Sequence, residues 1–136
     1  MRVFIYLNLH RRCLSVRSED RETRGRVIAH VDAVELENAS FVVSQAGRQR
    51  ALREKRKNVH AGIRGELVGW LESGASIADK RPWQQKVRRM RGVGVTYDPY
   101  RYSTFVDRAT REPVFKSARV VALGSSVVAR KTRVPT

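Results

Sequence analysis

The stretch VIAHVDAVELENASFVV, residues 27–43, decides the fold class of this chain. Apolar and polar residues alternate from Val27 to Glu37, which is the pattern of a strand with one face in a core. Asn38 is a typical turn residue, and a short apolar run begins at Phe41. We therefore expect two strands here, separated by a turn that begins at Asn38.

The same alternation extends outward from this stretch in both directions. Residues 2–10 form a predicted strand whose two faces carry Val3, Ile5, Leu7 and Leu9 on one side and Phe4, Tyr6, Asn8 and His10 on the other. A turn at residues 11–12 should lead into a partner strand over residues 13–17. Strand-like segments resume after residue 59, and hairpins are expected around residues 107–112 and 124–126.

These segments predict a mostly β, α+β protein with seven to nine short strands and one or two short basic helices. A small barrel or a strongly bent antiparallel sheet would bury the alternating apolar faces most simply. The length of 136 residues fits a single domain, 1–136. Residues 72–92 are expected to form a linker and a helical insertion, and residues 131–136 a frayed basic tail.

Charge is the strongest indicator of function in this sequence. The chain has 28 Lys and Arg residues against 13 Asp and Glu residues, a formal net charge of +15. Such an excess opposes compaction and usually marks a partner of opposite sign. Arginine is the commoner cation, and its planar guanidinium suits phosphate groups. We therefore expect a polyanionic partner, DNA or RNA, while the oligomeric state stays open.

The sequence also predicts where such a protein acts. No apolar run approaches the roughly 20 residues that span a bilayer, so we expect no membrane partner. The apolar N-terminus lacks a small-residue cleavage pattern, so we expect no signal peptide. Cys13 is the single cysteine, which excludes an internal disulfide and is compatible with a reducing compartment. A cytoplasmic location is expected.

The first candidate binding segment is a basic run in a helix predicted over about residues 45–57. Glu54 is the only acid between residues 48 and 57, so pairing within the helix cannot neutralise the run. The functional interpretation is a helix laid against phosphates, and the alternative is a solvated helix face. The cations assigned to binding are Arg48, Arg50, Arg53, Lys55, Arg56 and Lys57.

The second candidate is the segment from residue 80 to residue 91, which holds six cations and no acid. Trp83, Val87 and Met90 form one helical stripe that would pack on the sheet. The remaining faces present cations either to water or to a partner, and two glutamines could bond phosphates or base edges. The cations assigned to binding are Lys86, Arg88, Arg89 and Arg91.

Aromatic side chains beside arginines are a third candidate. Tyr100 and Tyr102 flank Arg101, and Trp83 lies within the second basic segment. Exposed rings of this kind stack on unpaired bases with about 1–3 kcal/mol per base. Tyrosines near strand ends are more often core or turn residues, and we favour that alternative for the two tyrosines.

Catalytic arrangements are weak by comparison. The three histidines lie far apart, and no HxxxH or CxxC spacing predicts a zinc site. Asp32, Glu35 and Glu37 are close enough in sequence to suggest a Mg²⁺ site of a nuclease, but pairing with arginines is the favoured alternative. No nucleotide-binding or hydrolase fingerprint is present. We expect a binding protein without catalytic residues, metal or cofactor.

The run GRQRALREKRKNVHA, residues 47–61, resembles a motif of a group of small uncharacterised tailed-bacteriophage proteins. The segments at residues 8–10, 27–30 and 97–103 also resemble that group. The resemblance implies a phage origin, action in the cytoplasm of a bacterial host, and a role in host takeover or counter-defence. It implies no particular catalytic or binding residues.

Two functions are consistent with these features. The leading prediction is a nucleic-acid-binding accessory protein that recognises the phosphate backbone and is steeply sensitive to salt. The alternative is a host-takeover or counter-defence inhibitor that binds an acidic surface or the nucleic-acid cleft of a host protein, such as a CRISPR effector, a nuclease or a polymerase. A component of a nucleoprotein complex is a third, weaker alternative.

Overall fold

The computed structural model describes residues 1–8, 11–42, 49, 52–54, 62–97 and 104–131. One long helix, α1 (Ile77–Met90), interrupts the strands, and residues 49 and 52–54 are also helical. The strands are β1 (Arg2–Asn8), β2 (Cys13–Ser18), β3 (Val27–Phe41), β4 (Ile63–Glu72), β5 (Val93–Tyr97), β6 (Phe105–Asp107), β7 (Pro113–Phe115), β8 (Ala118–Leu123) and β9 (Ser126–Lys131). The mostly β prediction is confirmed.

The nine strands form one antiparallel sheet in the order β2-β1-β4-β3-β8-β9-β5-β6-β7. β2 also pairs with β3, with Leu14 opposite Val31, so the first four strands close a ring. The remaining five strands extend from β3 and end at β7. The predicted bent sheet is therefore present, but it is not a clean barrel because only one part of it closes.

β3 is one strand of 15 residues, where the sequence predicts two strands and a turn. Asn38 does adopt a left-handed backbone conformation, with φ of 48°, which asparagine tolerates. It forms a bulge, because Glu37 pairs with Glu66 while Ser40 pairs with Arg64. The predicted turn is wrong because β4 and β8 keep β3 paired on both sides of the bulge, and a bulge bends a strand without ending it.

The alternating faces are buried largely as their pattern predicts. Val3 and Ile5 are fully buried inside the ring, while Phe4 lies half-buried on the outer face. Phe41, at the end of β3, packs against Phe105 of β6 with ring centroids 4.6 Å apart. One core therefore continues from the ring beneath the rest of the sheet.

The C-terminal half of the chain follows the predicted hairpins. β8 and β9 pair from Leu123 opposite Ser126, and Gly124 has φ of 59°, which suits the first position of a two-residue turn. Within residues 72–92, which are predicted to form a linker and a helical insertion, the linker is short because Glu72 ends β4 and Ile77 already begins α1. In the part of the chain that the structure describes, no helix is long and apolar enough to cross a membrane.

Candidate functional site

Helix α1 is held by a cap at its start and by acidic residues of β3. The hydroxyl of Ser76 accepts the Asp79 N–H (3.1 Å), and the Asp79 carboxylate accepts the Ser76 N–H (3.3 Å). This reciprocal pair is a capping box, which satisfies two free donors. The Asp32 carboxylate accepts the N–H of Ala75 at 3.0 Å and lies 4.0 Å from Lys80 Nζ. The first turn of the helix is thereby fixed to β3.

Glu35 lies on β3 beneath the same helix, and its side chain is 1% exposed. Lys86 Nζ donates to its Oε1 at 2.5 Å, and Arg119 Nε donates to its Oε2 at 2.7 Å. Burial raises the pKa of Glu35, but the hydrogen bonds and charges of the two cations lower it further, so the pKa lies below its ordinary value. Glu35 is therefore an ionised group that joins α1 to β3 and β8.

These contacts set the direction of the helix. Lys80 and Lys86 are six residues apart, which is about 9 Å along a helix. Their partners, Asp32 and Glu35, are three residues apart, which is about 10 Å along a strand. The distance between the two lysines along the helix matches the distance between their partners along the strand, so α1 runs along β3 in the same direction. Its carboxyl end points toward the Phe41 end of β3.

Lys86 and Trp83, both predicted to contact a partner, make contacts within the protein. Lys86 Nζ pairs with Glu35 and also lies 5.0 Å from the centroid of the half-buried Trp83 ring. Lys86 therefore helps to dock the helix on β3, and the Trp83 ring contacts Lys86 from the same helix. Glu37 also faces a cation, Arg119, at 3.5 Å. Among the described residues no group of three or more His, Cys, Asp or Glu side chains is arranged to hold a metal ion.

The three predicted arginines at the end of α1 remain exposed: Arg88, Arg89 and Arg91. Arg91 has φ of 50°, and its N–H donates to the carbonyl of Arg88 at 3.4 Å, which ends the helix. The ion pairs found within the described ranges involve other cations. Their charge is therefore not neutralised by any carboxylate in that part of the chain.

Two more arginines reach this end of the helix from the sheet. Arg130 Nη1 donates to the carbonyl of Met90 at 3.2 Å, one of the carbonyls that a helix end leaves free. Arg108 lies against Gly94, where an added Cβ would be 2.6 Å from Arg108 Nη2. Gly94 pairs with Val128, and Val128 and Arg130 share a face of β9 because residues i and i+2 do.

We call these five residues the arginine cluster: Arg88, Arg89, Arg91, Arg108 and Arg130. They come from the end of α1, the β6–β7 turn and β9. Guanidinium groups gathered in this way suit phosphate groups, since each donates in a planar fork. The sequence predicted the first three. It missed Arg108 and Arg130, because only strand register brings them to the helix, and no local pattern distinguishes them from other surface arginines.

The other predicted binding residues are placed only in part. Arg53 is helical and exposed. The segment that contains it joins Val42 and Gly62, whose backbones are hydrogen-bonded to each other at the Phe41 end of β3. This is the end toward which α1 points. The remaining predicted binding and stacking residues lie outside the described residues: Arg48, Arg50, Lys55, Arg56, Lys57, Tyr100 and Tyr102.

A separate cavity of about 260 Å³ lies beside Cys13, between β1, β2 and the β8–β9 turn. Its lining is mainly apolar, with Leu7, Leu14 and Val31 among the residues that form it. Burial raises the pKa of the Cys13 thiol, and the nearby Asp32 charge adds to this. The shift disfavours the thiolate that a nucleophilic cysteine needs.

Comparison with known proteins places the chain in a family. A family model described as "Mycobacterium phage L5 gene 82 protein" matches residues 1–130. The Gene 82 protein of Mycobacterium phage L5 is 38% identical over 133 residues, which cover 93% of this chain and 94% of that protein. No solved structure matches. The expected phage origin is confirmed, while the motif over residues 47–61 stays a prediction. The chain belongs to the family of the Mycobacterium phage L5 gene 82 protein.

Proposed function

We propose that this protein binds nucleic acid through the arginine cluster, by contacts to the phosphate backbone and without catalysis. One observation carries the proposal. Five arginines from three separate elements gather at the carboxyl end of α1, and within the described ranges none of them has a carboxylate partner. Nucleic acid presents closely spaced negative charges that such a group can neutralise, with release of bound counterions.

The distribution of the protein's own carboxylates supports this assignment. Asp32 and Glu35 pair with Lys80, Lys86 and Arg119, the cations that dock the helix. The cations at the end of the helix are left to solvent. The net charge of +15 is therefore unevenly compensated, and five of the cations without a carboxylate partner in the described ranges lie near the end of α1.

Salt-dependent binding tests the proposal. A labelled duplex and a labelled single strand are titrated by fluorescence anisotropy between 50 and 300 mM salt, with the wild type and with the triple variant R88Q/R89Q/R91Q. Each phosphate contact contributes about 0.9 to the slope of log affinity against log salt for duplex DNA and about 0.7 for single strands. We expect the triple variant to lower the slope by about 2 to 3.

A matched control keeps the change in net charge equal. The triple variant R21Q/R24Q/R26Q removes three exposed arginines from the loop between β2 and β3, and it should leave the slope almost unchanged. An affinity that does not depend on salt would contradict the proposal. Equal effects of the two triple variants would show that the position of the charge is irrelevant and would reject the arginine cluster as the site.

An acidic protein surface is the competing partner for the same arginines. A pull-down from nuclease-treated host lysate separates the two, using the wild type and R88Q/R89Q/R91Q as baits. If nucleic acid is the partner, digestion removes the captured material. Recovery of one stoichiometric protein after digestion, lost with the triple variant, would replace nucleic acid by a protein partner.

A further inference from the structure

A second surface of distinct chemistry lies on the outer face of the four-stranded ring. Phe4 on β1 pairs with Arg17 on β2 and with Arg64 on β4. Directly opposed residues of antiparallel strands project to the same face, so the three side chains form a row across adjacent strands. Tyr6 is the next outward-facing residue of β1 and pairs with Ser15.

Three flat groups of this row lie in mutual contact. The ring centroids of Phe4 and Tyr6 are 6.2 Å apart, and the ring planes differ by 32°. Arg17 Cζ lies 5.9 Å from the Phe4 centroid and 5.1 Å from the Tyr6 centroid. All three side chains are half-buried. Together they present two aromatic rings and one guanidinium to the outside of the ring.

The aromatic pair is not needed to fill the core. Val3 and Ile5 of the same strand are fully buried and fill the interior from the opposite face. The solvent face of an antiparallel sheet is ordinarily polar. Two neighbouring, half-buried aromatic rings on such a face are therefore a feature of the surface, and apolar groups clustered on a surface commonly mark a binding site.

None of the ion pairs among the described residues involves Arg17, so no carboxylate there compensates its charge. Its Nε atom is buried and has no hydrogen-bond partner in the described structure, and its guanidinium is held by the two rings instead. The Nε atom of the neighbouring Arg64 is likewise buried without a partner, but Arg64 Nη2 donates to Glu19 at 3.3 Å. Beside Tyr6, the fully buried Ser15 places its Oγ 3.0 Å from His30 Nδ1.

We propose that Phe4, Tyr6 and Arg17 form a stacking platform for unpaired nucleobases, so that the nucleic acid bound by this protein is single-stranded. Aromatic faces accept any base by stacking, and an adjacent arginine adds a cation. Paired bases are stacked on each other within a duplex and do not reach such a surface. The inference rests on the proposed function and adds its substrate class.

Leucine substitutions test the platform while keeping apolar volume. Affinities of F4L and Y6L are measured for single-stranded DNA, single-stranded RNA and duplex DNA of one sequence, at one salt concentration. We expect each variant to weaken single-strand binding about 5- to 100-fold and to leave duplex binding unchanged. R17K, which keeps the charge but lacks the flat group, should also weaken single-strand binding. DNA and RNA are two sources of the same base chemistry, and the two arms show which one binds.

F115L is the matched control, because Phe115 is a half-buried phenylalanine on β7, away from the platform. Urea unfolding of each variant confirms that it folds. Unchanged single-strand affinity in F4L and Y6L, or a duplex bound as tightly as a single strand, would overturn the platform. If R88Q/R89Q/R91Q still weakens binding in that case, the proposed function stands. If neither set of variants weakens binding, both proposals fail.

Discussion

Glu35 lies between Val34 and Leu36, whose side chains are in the core, so the side chain of Glu35 projects from the opposite face of β3. It is nevertheless only 1% exposed. Helix α1 covers that face and supplies Lys86, while β8 supplies Arg119. A buried carboxylate is tolerated only when it is paired and hydrogen-bonded. Glu35 meets this condition with two cations that are themselves 41% and 38% exposed. The residue thus acts as the electrostatic attachment of the helix to the sheet.

Substitution of Glu35 tests this role. E35Q keeps the shape but removes the charge that both cations bond, so we expect the free energy of unfolding at pH 7 to fall by about 1–3 kcal/mol. E37Q is the control, since Glu37 is 39% exposed and makes a surface pair with Arg119, and it should change stability by less than about 1 kcal/mol. Urea denaturation measures both. Equal losses would contradict the attachment role.

The pH dependence follows from the lowered pKa of Glu35. A carboxyl group whose pKa is lower in the folded state contributes its full stability above its ordinary pKa of 4.5 and loses it as pH falls through the folded value. The difference in unfolding free energy between the wild type and E35Q should therefore be largest at pH 6–7. It should shrink as the pH is lowered below 4.5. A difference that stays constant down to pH 3 would contradict this assignment.

Substitution of Gly92 or Gly94 by alanine provides a matched pair of variants near the arginine cluster. A Cβ at Gly94 would meet the mobile end of Arg108 at 2.6 Å, whereas a Cβ at Gly92 would meet the carbonyl oxygen of Ala129 at 2.6 Å. We expect G94A to keep stability within about 1 kcal/mol, because Arg108 can move aside, and to weaken polyanion binding. G92A should cost about 1–3 kcal/mol, as overpacking does. Denaturation and anisotropy titration measure the two effects.

At the scale of elements, α1 carries two sets of cations, one paired with carboxylates and one exposed to solvent. Lys80 and Lys86 face β3 and pair with its carboxylates, while Arg88 and Arg89 stay exposed in the last turn. Cations in a last turn also interact favourably with the negative end of the helix dipole. The helix is thereby a rigid support that holds charge at one end. Its rigidity depends on the cap at Ser76 and Asp79.

The cap is tested by S76A, which removes the hydroxyl that accepts the Asp79 N–H. Loss of such a cap costs about 0.5–2 kcal/mol, and we expect a decrease in unfolding free energy in that range by urea denaturation. S126A, at an exposed serine that starts β9, serves as the control and should stay within about 0.5 kcal/mol. A cap variant as stable as the wild type would mean that the salt bridges alone hold the helix.

At the scale of the whole molecule, β3 joins the ring to the rest of the sheet. It pairs with β2 and β4 in the ring and with β8 in the extension, and the core passes from one part to the other through Phe41 and Phe105. A strand shared in this way should couple the two parts. The chain is therefore expected to unfold as the single domain that its length predicts.

The two tryptophans report on the two parts separately. Trp70 lies on β4 within the ring, and Trp83 lies on α1, which is paired to β3 and also contacts β8 of the extension. Fluorescence-monitored urea unfolding of W83F follows Trp70, and that of W70F follows Trp83. For each variant, we expect the fluorescence midpoint to match the midpoint from circular dichroism. A tryptophan transition separated from the circular dichroism transition would show that the ring and the extension unfold independently.

The sequence by itself determined the class of this protein: strands with one buried face, two C-terminal hairpins, a helical stripe ending at Met90, and a large positive charge. These depend on local periodicity and composition, which a single segment displays. Only the tertiary structure decided that Asn38 is a bulge, that Lys86 belongs to Glu35, and that Arg108 and Arg130 join the end of α1. Each of these depends on the register between distant strands, and register is set by the packing of the whole sheet.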